Sequence, residues 1–179
     1  VLSVNGNVAA LVPEEMIDLA AAVDADVEVN LFNRTDERMR AIAAHLREHG
    51  ADEAGVTVRG LDADARIPGL DNERAAVDAD GIGGADVVVV PLEDGDRAEA
   101  LDAMGQSEIV IDLNPLSRSA QVATVPIVDN VLRAVPNITD HARDLSGASR
   151  AELEAIIREF DAAAALEAAE DAIRSGELA

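Results

Sequence analysis

Two short runs rich in β-branched residues constrain the fold more than any other feature of the chain. The runs are ADVVVVPL (Ala85–Leu92) and EIVIDL (Glu108–Leu113), and neither alternates strictly between apolar and polar positions. Strands of this kind are covered on both faces, as occurs in a parallel sheet flanked by helices. Segments with helical spacing separate the strands, and this alternation predicts an α/β fold with a mainly parallel sheet.

The same patterns place four further strands and a long C-terminal helix. The strands are predicted at Val1–Val4, Asp26–Phe32, Val56–Val58 and Thr124–Val128. The helix follows Ser149, with Glu152 completing a capping box, and its Ala-rich continuation reaches Arg174. Its apolar residues recur at helical spacing, so we expect one buried face, formed by Leu153, Ile156, Ile157, Phe160 and Ala164. Residues 60–84 are expected to form a long loop with at most a turn or two of helix.

Polar residues follow the strands at the edge where a parallel sheet binds its ligands. They are Asn5 and Asn7, Asn33–Thr35, Asp94–Arg97, Asp112–Arg118, and Asp129–Asn130. Turns are also rich in Asn, Asp and Ser, so polar residues after any one strand (a strand exit) are weak evidence for a binding site. The arginines at three exits (Arg34, Arg97 and Arg118) are more informative. A turn does not require arginine, whereas a guanidinium suits bidentate binding of phosphate or carboxylate.

Two of these exits suggest specific chemistry. Asp94 and Asp96 can hold Mg²⁺ with Arg97 facing a phosphate, or they can form an acidic turn that caps the next helix. The segment Asp112–Arg118 ends a buried strand in groups that can bind a base or a ribose, and its Ser and Arg side chains, with Ser119, can bind phosphates. We favour a functional role for this second exit.

The composition excludes several kinds of chemistry and of partner. The 179 residues include no Cys, which excludes disulfides, thiol nucleophiles and thiolate metal sites. Every basic residue is Arg, which excludes a lysine Schiff base and a lysine-type phosphate-binding loop. The formal net charge of −22 argues against nucleic acid or an anionic membrane as a partner. No apolar run reaches the ~20 residues of a membrane span and no signal-peptide pattern is present, so we expect a cytoplasmic protein.

The acidic excess itself has two interpretations, a site for a cationic ligand or a surface adapted to salt. Asp and Glu occur in nearly every segment, whereas a ligand site would concentrate them. A dispersed carboxylate surface without the strongly hydrated Lys head keeps a protein soluble in concentrated salt. We therefore favour salt adaptation.

Six motifs resemble those of the archaeal phosphopantothenate synthetases, also called 4-phosphopantoate–β-alanine ligases, and their order agrees. They are SVNGNVAALVPEE (Ser3–Glu15), EVNLFNRT (Glu28–Thr35), ARIPGL (Ala65–Leu70), ADVVVVPLEDGDR (Ala85–Arg97), IDLNPLSRSAQ (Ile111–Gln121) and IVDN (Ile127–Asn130). The resemblance covers essentially the whole chain and implies a Rossmann-like three-layer fold, a single nucleotide-binding domain over residues 1–179 and a homodimer. Family members carry a further, largely helical N-terminal region ahead of these motifs, which supplies part of the ATP site. This region is expected to be absent from the 179 residues.

The resemblance also implies a reaction and a set of site residues. The reaction joins 4-phosphopantoate and β-alanine through an acyl-adenylate, with release of AMP and diphosphate, and Mg²⁺ and Arg are expected to supply the positive charge. The implied ATP contacts are Asp112, Leu113, Asn114, Arg118, Ser119, Asn130 and Val131. The expected contacts to phosphopantoate are Asn5, Asn7, Arg34 and Arg97, and the expected metal, amine or catalytic groups are Asp94, Asp96 and Arg118. A non-catalytic nucleotide-binding fragment or module is the alternative function, suggested by a sequence that starts at Val1.

Salt adaptation makes a direct prediction. We expect the midpoint of thermal unfolding to rise between low salt and molar KCl, because screening relieves the repulsion among dispersed carboxylates. Circular dichroism at a series of KCl concentrations measures the midpoint. A midpoint that does not change with KCl would contradict the interpretation.

Overall fold

A computed structural model describes residues 1–176 and contains a six-stranded parallel sheet with helices on both faces. The strands are β1 (Leu2–Val4), β2 (Val27–Val29), β3 (Val58–Arg59), β4 (Ala65–Arg66), β5 (Ala76–Val77), β6 (Val87–Pro91), β7 (Ser107–Asp112) and β8 (Val125–Val128). The α-helices are α1 (Gly6–Leu11), α2 (Pro13–Ala22), α3 (Asp36–Glu48), α4 (Gly95–Ala103), α5 (Arg118–Val122), α6 (Val131–Asp144), α7 (Arg150–Glu159) and α8 (Ala162–Ser175). Among residues 1–176, none of the helices combines the length and the apolarity that crossing a bilayer requires.

The order of the strands gives the sheet its binding edge. The order is β3-β2-β1-β6-β7-β8, and every pair is parallel, while β4 and β5 form a separate antiparallel hairpin. Without the hairpin this is the 3-2-1-4-5-6 order of a Rossmann fold, which confirms the predicted fold class. The strand order reverses between β1 and β6, and ligands of such sheets bind outside the carboxyl ends of the strands at this switch point.

The predicted burial of β6 on both faces is confirmed. Val89 packs into the core formed with α1, α2, α3 and α6. Val88 and Val90 pack into the opposite core with α4 and the β4–β5 hairpin. A strand that contributes to both cores needs apolar side chains at consecutive positions, which explains Val88–Val90, while Val87 at the start of the strand is 43% exposed.

The segment 60–84 is more ordered than the sequence suggests. It forms the β4–β5 hairpin and two short 3₁₀ helices, and Ile67 and Val77 are buried in the second core. The carboxylate of Glu28, on β2, accepts hydrogen bonds from the backbone N–H groups of Asp78 and Ile82 at 3.1 and 2.6 Å. Burial raises the pKa of Glu28 to about 7. The hairpin is therefore tied to the sheet by a buried side chain.

The C-terminal helix is present, and its start is as predicted. The side chain of Ser149 and that of Glu152 form the capping box at the beginning of α7. The first helix, α7, then ends at Glu159 with Phe160 as its C-cap, and Asp161 caps a second helix, α8. Neither α7 nor α8 buries a residue within the described part of the chain, so the expectation of a buried face is wrong for the single chain. Ile157 remains 75% exposed.

Gly60 offers a test of how closely the hairpin segment approaches β2. A Cβ at Gly60 would lie 2.2 Å from the carbonyl oxygen of Val29, and φ there is +98°. Gly50 has a similar φ of +101°, but a Cβ there would contact no atom within 4 Å. We expect Gly60→Ala to lower the free energy of unfolding by about 1–3 kcal/mol more than Gly50→Ala, because only Gly60 adds overpacking to backbone strain. Chemical denaturation measures both variants, and equal losses would contradict the close approach.

Candidate functional site

Asn5 joins the two strands at the switch point. It follows β1, and its Nδ2 donates to the carbonyl oxygens of Pro91 and Leu92, at the end of β6, at 3.2 and 3.1 Å. Its Oδ1 accepts from the backbone N–H groups of Asn7 and Val8 and so caps α1. The side chain predicted to bind substrate therefore holds the binding edge together.

A small polar cavity opens at this point, and we call it the inner cavity. Its volume is about 150 Å³. Its lining comes from the carboxyl ends of three neighbouring strands, from the start of α3 and from the segment between β4 and β5. It consists of Asn5, Gly6, Asn7, Leu31, Phe32, Asn33, Arg38, Arg74 and Leu92. Two arginines beside three asparagines suit an anion with several oxygen atoms.

A larger cavity, the outer cavity, adjoins the inner one. Its volume is about 530 Å³, and its lining is Phe32, Asn72, Arg74, Asp94, Gly95, Asp96 and Arg118. Phe32 and Arg74 belong to both linings. The two cavities are therefore neighbours, and a ligand in one can meet a ligand in the other beside Arg74.

Three buried charges lie beneath the cavities. The carboxylate of Glu93 pairs with the guanidinium groups of both Arg74 and Arg97, and the Arg97 pair measures 2.6 Å. Arg97 also donates to the hydroxyl of Ser3 at 3.0 Å and is completely buried. Arg97 therefore lines neither cavity in this arrangement and lies where it can fix Glu93.

Arg74 remains charged despite its burial. Burial first, and then the charge of Arg97, lower the pKa of Arg74 to about 10, and Asp94 opposes this shift. A pKa of about 10 keeps the group protonated at neutral pH. The Nε of Arg74 lies 3.8 Å from an Asp94 carboxylate oxygen. The cation thus retains N–H donors that a ligand can use.

The exit of β7 is folded by its own side chains. One carboxylate oxygen of Asp112 accepts from the backbone N–H of Asn114 at 3.0 Å, and the other accepts from the hydroxyl of Ser117 at 2.7 Å. The Oδ1 of Asn114 accepts from the backbone N–H of Leu116. Leu113 projects from this loop and is 58% exposed. The loop is a rigid turn with an apolar side chain on its surface.

The other residues expected to bind ATP follow β7 and β8 at the same edge. Asn130 caps α6, and Val131 is buried in its first turn. The buried hydroxyl of Ser119 donates to the carbonyl of Glu93 at 2.8 Å, which ties α5 to the outer cavity. Arg118 begins α5 and lies 2.5 Å from Asp96. A Cβ at Gly95 would lie 2.4 Å from that of Arg118, so the glycine permits this approach.

Arg34 takes a structural partner instead of facing either cavity. Its Nη2 donates to the carbonyl of Gly60 at 2.6 Å. Four residues later, in the first turn of α3, Arg38 does line the inner cavity, and its Nη1 donates to the carbonyl of Asn33 at 2.6 Å.

Sequence reasoning missed Arg38 and Arg74. Arg38 had a signal, since it lies in the first turn of a helix that follows a strand exit. For Arg74 the sequence gives no signal beyond its place in a long polar segment, because its partner, Glu93, is distant in the sequence. Both arginines line the inner cavity, whereas the predicted Arg34 and Arg97 do not.

The carboxylates of the outer cavity fit Mg²⁺ only as partial ligands. No group of three or more His, Asp and Glu side chains within residues 1–176 is arranged to hold a metal ion. Asp94 is 59% exposed at its side chain and lies 3.8 Å from Arg74, while Asp96 pairs with Arg118. Mg²⁺ is commonly held by one or two carboxylates together with substrate phosphates, and this pair of residues fits that mode.

A third cavity lies at the opposite edge of the sheet and has a different character. It has a volume of about 530 Å³ and is lined mainly by apolar residues, among them Leu2, Leu19, Val89 and Ile109. Its charged side chains are the carboxylates of Asp24, Asp26 and Asp86. It therefore lacks the convergent cations of the switch point.

The family model described as phosphopantothenate/pantothenate synthetase matches residues 1–176. The chain belongs to this family. Members similar to it include the 4-phosphopantoate–beta-alanine ligases of Thermococcus onnurineus, 56% identical over 90% of this chain and 60% of that protein, and of Methanosarcina mazei, 47% identical over 90% and 62%. A third, from Methanospirillum hungatei, is 52% identical over 81% and 57%.

The chain spans about 60% of the length of these curated relatives. The matched portion includes both cavities and the switch point.

Proposed function

We propose that the protein is an ATP-dependent ligase that joins 4-phosphopantoate to β-alanine in coenzyme A biosynthesis. Membership of the family and the similarity to 4-phosphopantoate–beta-alanine ligases support this proposal. The observation that carries it is the pair of cavities that meet at Arg74, because a reaction between two anionic substrates needs adjoining sites and a cation between them.

The chemistry proceeds in two steps. A carboxylate oxygen of phosphopantoate attacks the α-phosphorus of ATP, and the bond to diphosphate breaks. The amine of β-alanine then attacks the acyl carbon, the bond between that carbon and the carboxylate oxygen breaks, AMP leaves and the amine loses a proton. Neither step requires a nucleophile from the protein, so catalysis rests on positioning and on neutralising charge.

The proposed sites follow the two cavities. Phosphopantoate occupies the inner cavity beside Asn5 and Asn7, and ATP reaches the outer cavity. The proposed ATP contacts are Asp112, Leu113, Asn114, Arg118, Ser119, Asn130 and Val131. Arg34 and Arg97 contribute indirectly, since Arg34 holds Gly60 and Arg97 holds Glu93.

We propose that Asp94 and Asp96 hold Mg²⁺ together with the phosphates of ATP. The ion would neutralise charge on the phosphates and orient them. Asp94 occupies the N-cap position of α4 and Asp96 lies in its first turn, so the positive end of that helix dipole faces the same groups.

Two further proposals rest on charge and on metabolism. The acidic residues dispersed over the chain support adaptation of the surface to salt, as in proteins of halophilic archaea. The use of ATP and of coenzyme A precursors supports a cytoplasmic location.

Arg118 provides the test of the ATP site. We expect Arg118→Ala to raise the KM for ATP about tenfold, because a cation that binds phosphate contributes a charge-assisted hydrogen bond. AMP release in high KCl, with all three substrates present, measures the effect. Arg47→Ala, an exposed change at the far end of α3, is the control. Equal KM values for the two variants would contradict the assignment.

The same assay separates the ligase from the alternative, a non-catalytic nucleotide-binding module. A ligase releases AMP only when both phosphopantoate and β-alanine are present at turnover. If the full-length protein is only a nucleotide-binding module, it binds ATP and releases no AMP under the same conditions.

We also propose a homodimer formed through α7 and α8. These helices bury no residue in the single chain and expose Leu153, Ile156, Ile157, Phe160 and Ile173. Exposed apolar residues at helical spacing are characteristic of a surface that pairs with another helix.

If α7 and α8 form the dimer interface, one charge introduced there should change the oligomeric state. We expect Ile157→Asp to shift the protein from dimer to monomer at micromolar concentration, because a carboxylate in an apolar interface pays an uncompensated cost of desolvation. Light scattering coupled to size-exclusion chromatography measures the mass. Leu11→Asp, at an exposed apolar position on α1, is the control. A monomeric parent protein, or a dimeric Ile157→Asp variant, would contradict this interface.

A further inference from the structure

We propose that two arginines divide the recognition of 4-phosphopantoate, with Arg74 binding its reacting carboxylate beside the α-phosphate of ATP and Arg38 binding its phosphate. The proposal deepens the ligase function and rests on it. Neither residue carries a role from the sequence patterns or from the family resemblance.

The positions of the two cations carry the assignment. Arg74 lines both cavities, whereas Arg38 lines only the inner one. The carboxylate of phosphopantoate must approach ATP, and it therefore lies near the cation that the cavities share. The phosphate takes no part in the reaction, so it lies toward the cation that faces the inner cavity alone.

The surroundings of Arg74 fix it before any substrate arrives. Its backbone N–H donates to the Oδ1 of Asn72 at 3.0 Å, and its carbonyl accepts from the Nδ2 of Asn30 at 3.1 Å. Its guanidinium pairs with the buried Glu93, which Arg97 holds from the other side. A cation fixed in this way pays little ordering entropy when it binds a transition state.

The ion pairs of Arg74 leave part of its donors available to an anion. Two guanidinium groups share the buried carboxylate of Glu93, and Asp94, whose side chain is 59% exposed, lies 3.8 Å from Arg74. Arg74 has five N–H donors, and this ion pair uses only part of them. An incoming carboxylate and phosphate can accept from the remaining donors.

Arg38 differs from Arg74 in its exposure to solvent. It is exposed, and it lies on α3 beside the start of α1, where its Nη2 is 3.7 Å from the position of a Cβ on Gly6. An exposed arginine at the mouth of a cavity suits capture of the doubly charged end of a substrate.

The test compares Arg74→Lys, Arg74→Gln and Arg38→Gln in the full-length enzyme, with Arg66→Gln, an exposed change on the same hairpin, as the control. The readouts are the exchange of diphosphate into ATP that depends on phosphopantoate, the same exchange with pantoate in place of phosphopantoate, and the midpoint of thermal unfolding. Pantoate keeps the carboxylate and lacks the phosphate.

We expect both Arg74 variants to slow the exchange at least tenfold with either acid, because the reacting groups lose their shared cation. We expect Arg38→Gln to raise the KM for phosphopantoate about tenfold, with the KM for pantoate and for ATP unchanged. The preference for phosphopantoate over pantoate should thus fall only in Arg38→Gln.

Other outcomes overturn the proposal. An unchanged preference in Arg38→Gln, or a lost preference in an Arg74 variant that still folds, would reverse the assignment. If Arg74→Gln fails to fold, Arg74→Lys decides, since it keeps the charge and removes the planar donors. Exchange at the parental rate in Arg74→Lys would remove Arg74 from the reaction. An inactive parent enzyme would refute the ligase function itself, and the proposal with it.

Discussion

The side chain of Asn5 holds the binding edge of this fold together. It bonds to the carbonyls that end β6 and to the amides that begin α1, so one residue joins the two strands between which the sheet reverses its order. A crevice at a switch point exists because the chain leaves the two central strands toward opposite faces. The amide closes the base of that crevice, and the inner cavity opens directly beside it.

The buried charges connect this architecture to the chemistry. Arg97 is completely enclosed, and a lone buried cation would be strongly destabilising, so its pairing with Glu93 is a condition of folding. The same carboxylate holds Arg74 at the junction of the cavities. The fold and the proposed function thus share one carboxylate. In a chain without lysine, arginine is the basic side chain available for binding anions at these sites.

The sequence patterns predicted the sheet better than the site. The valine run of β6 requires two covering layers, and the structure confirms both. The β4–β5 hairpin was missed because each strand has two residues, too few to show a period. The helix α1 was missed because an asparagine that ends a strand is as typical of a turn as of a helix cap. Arg97 was expected to face substrate, since position in an exit loop does not reveal burial, and Arg74 depends on a partner distant in the chain.

Transfer of labelled oxygen tests the central claim of the proposed function, that a carboxylate oxygen of phosphopantoate attacks the α-phosphorus of ATP. Phosphopantoate carrying ¹⁸O in both carboxylate positions is converted with ATP and β-alanine, and the AMP is analysed by mass spectrometry. An acyl-adenylate leaves one ¹⁸O atom in AMP, because the carboxylate oxygen that attacks phosphorus departs with it. AMP without ¹⁸O, or label in inorganic phosphate, would contradict the account.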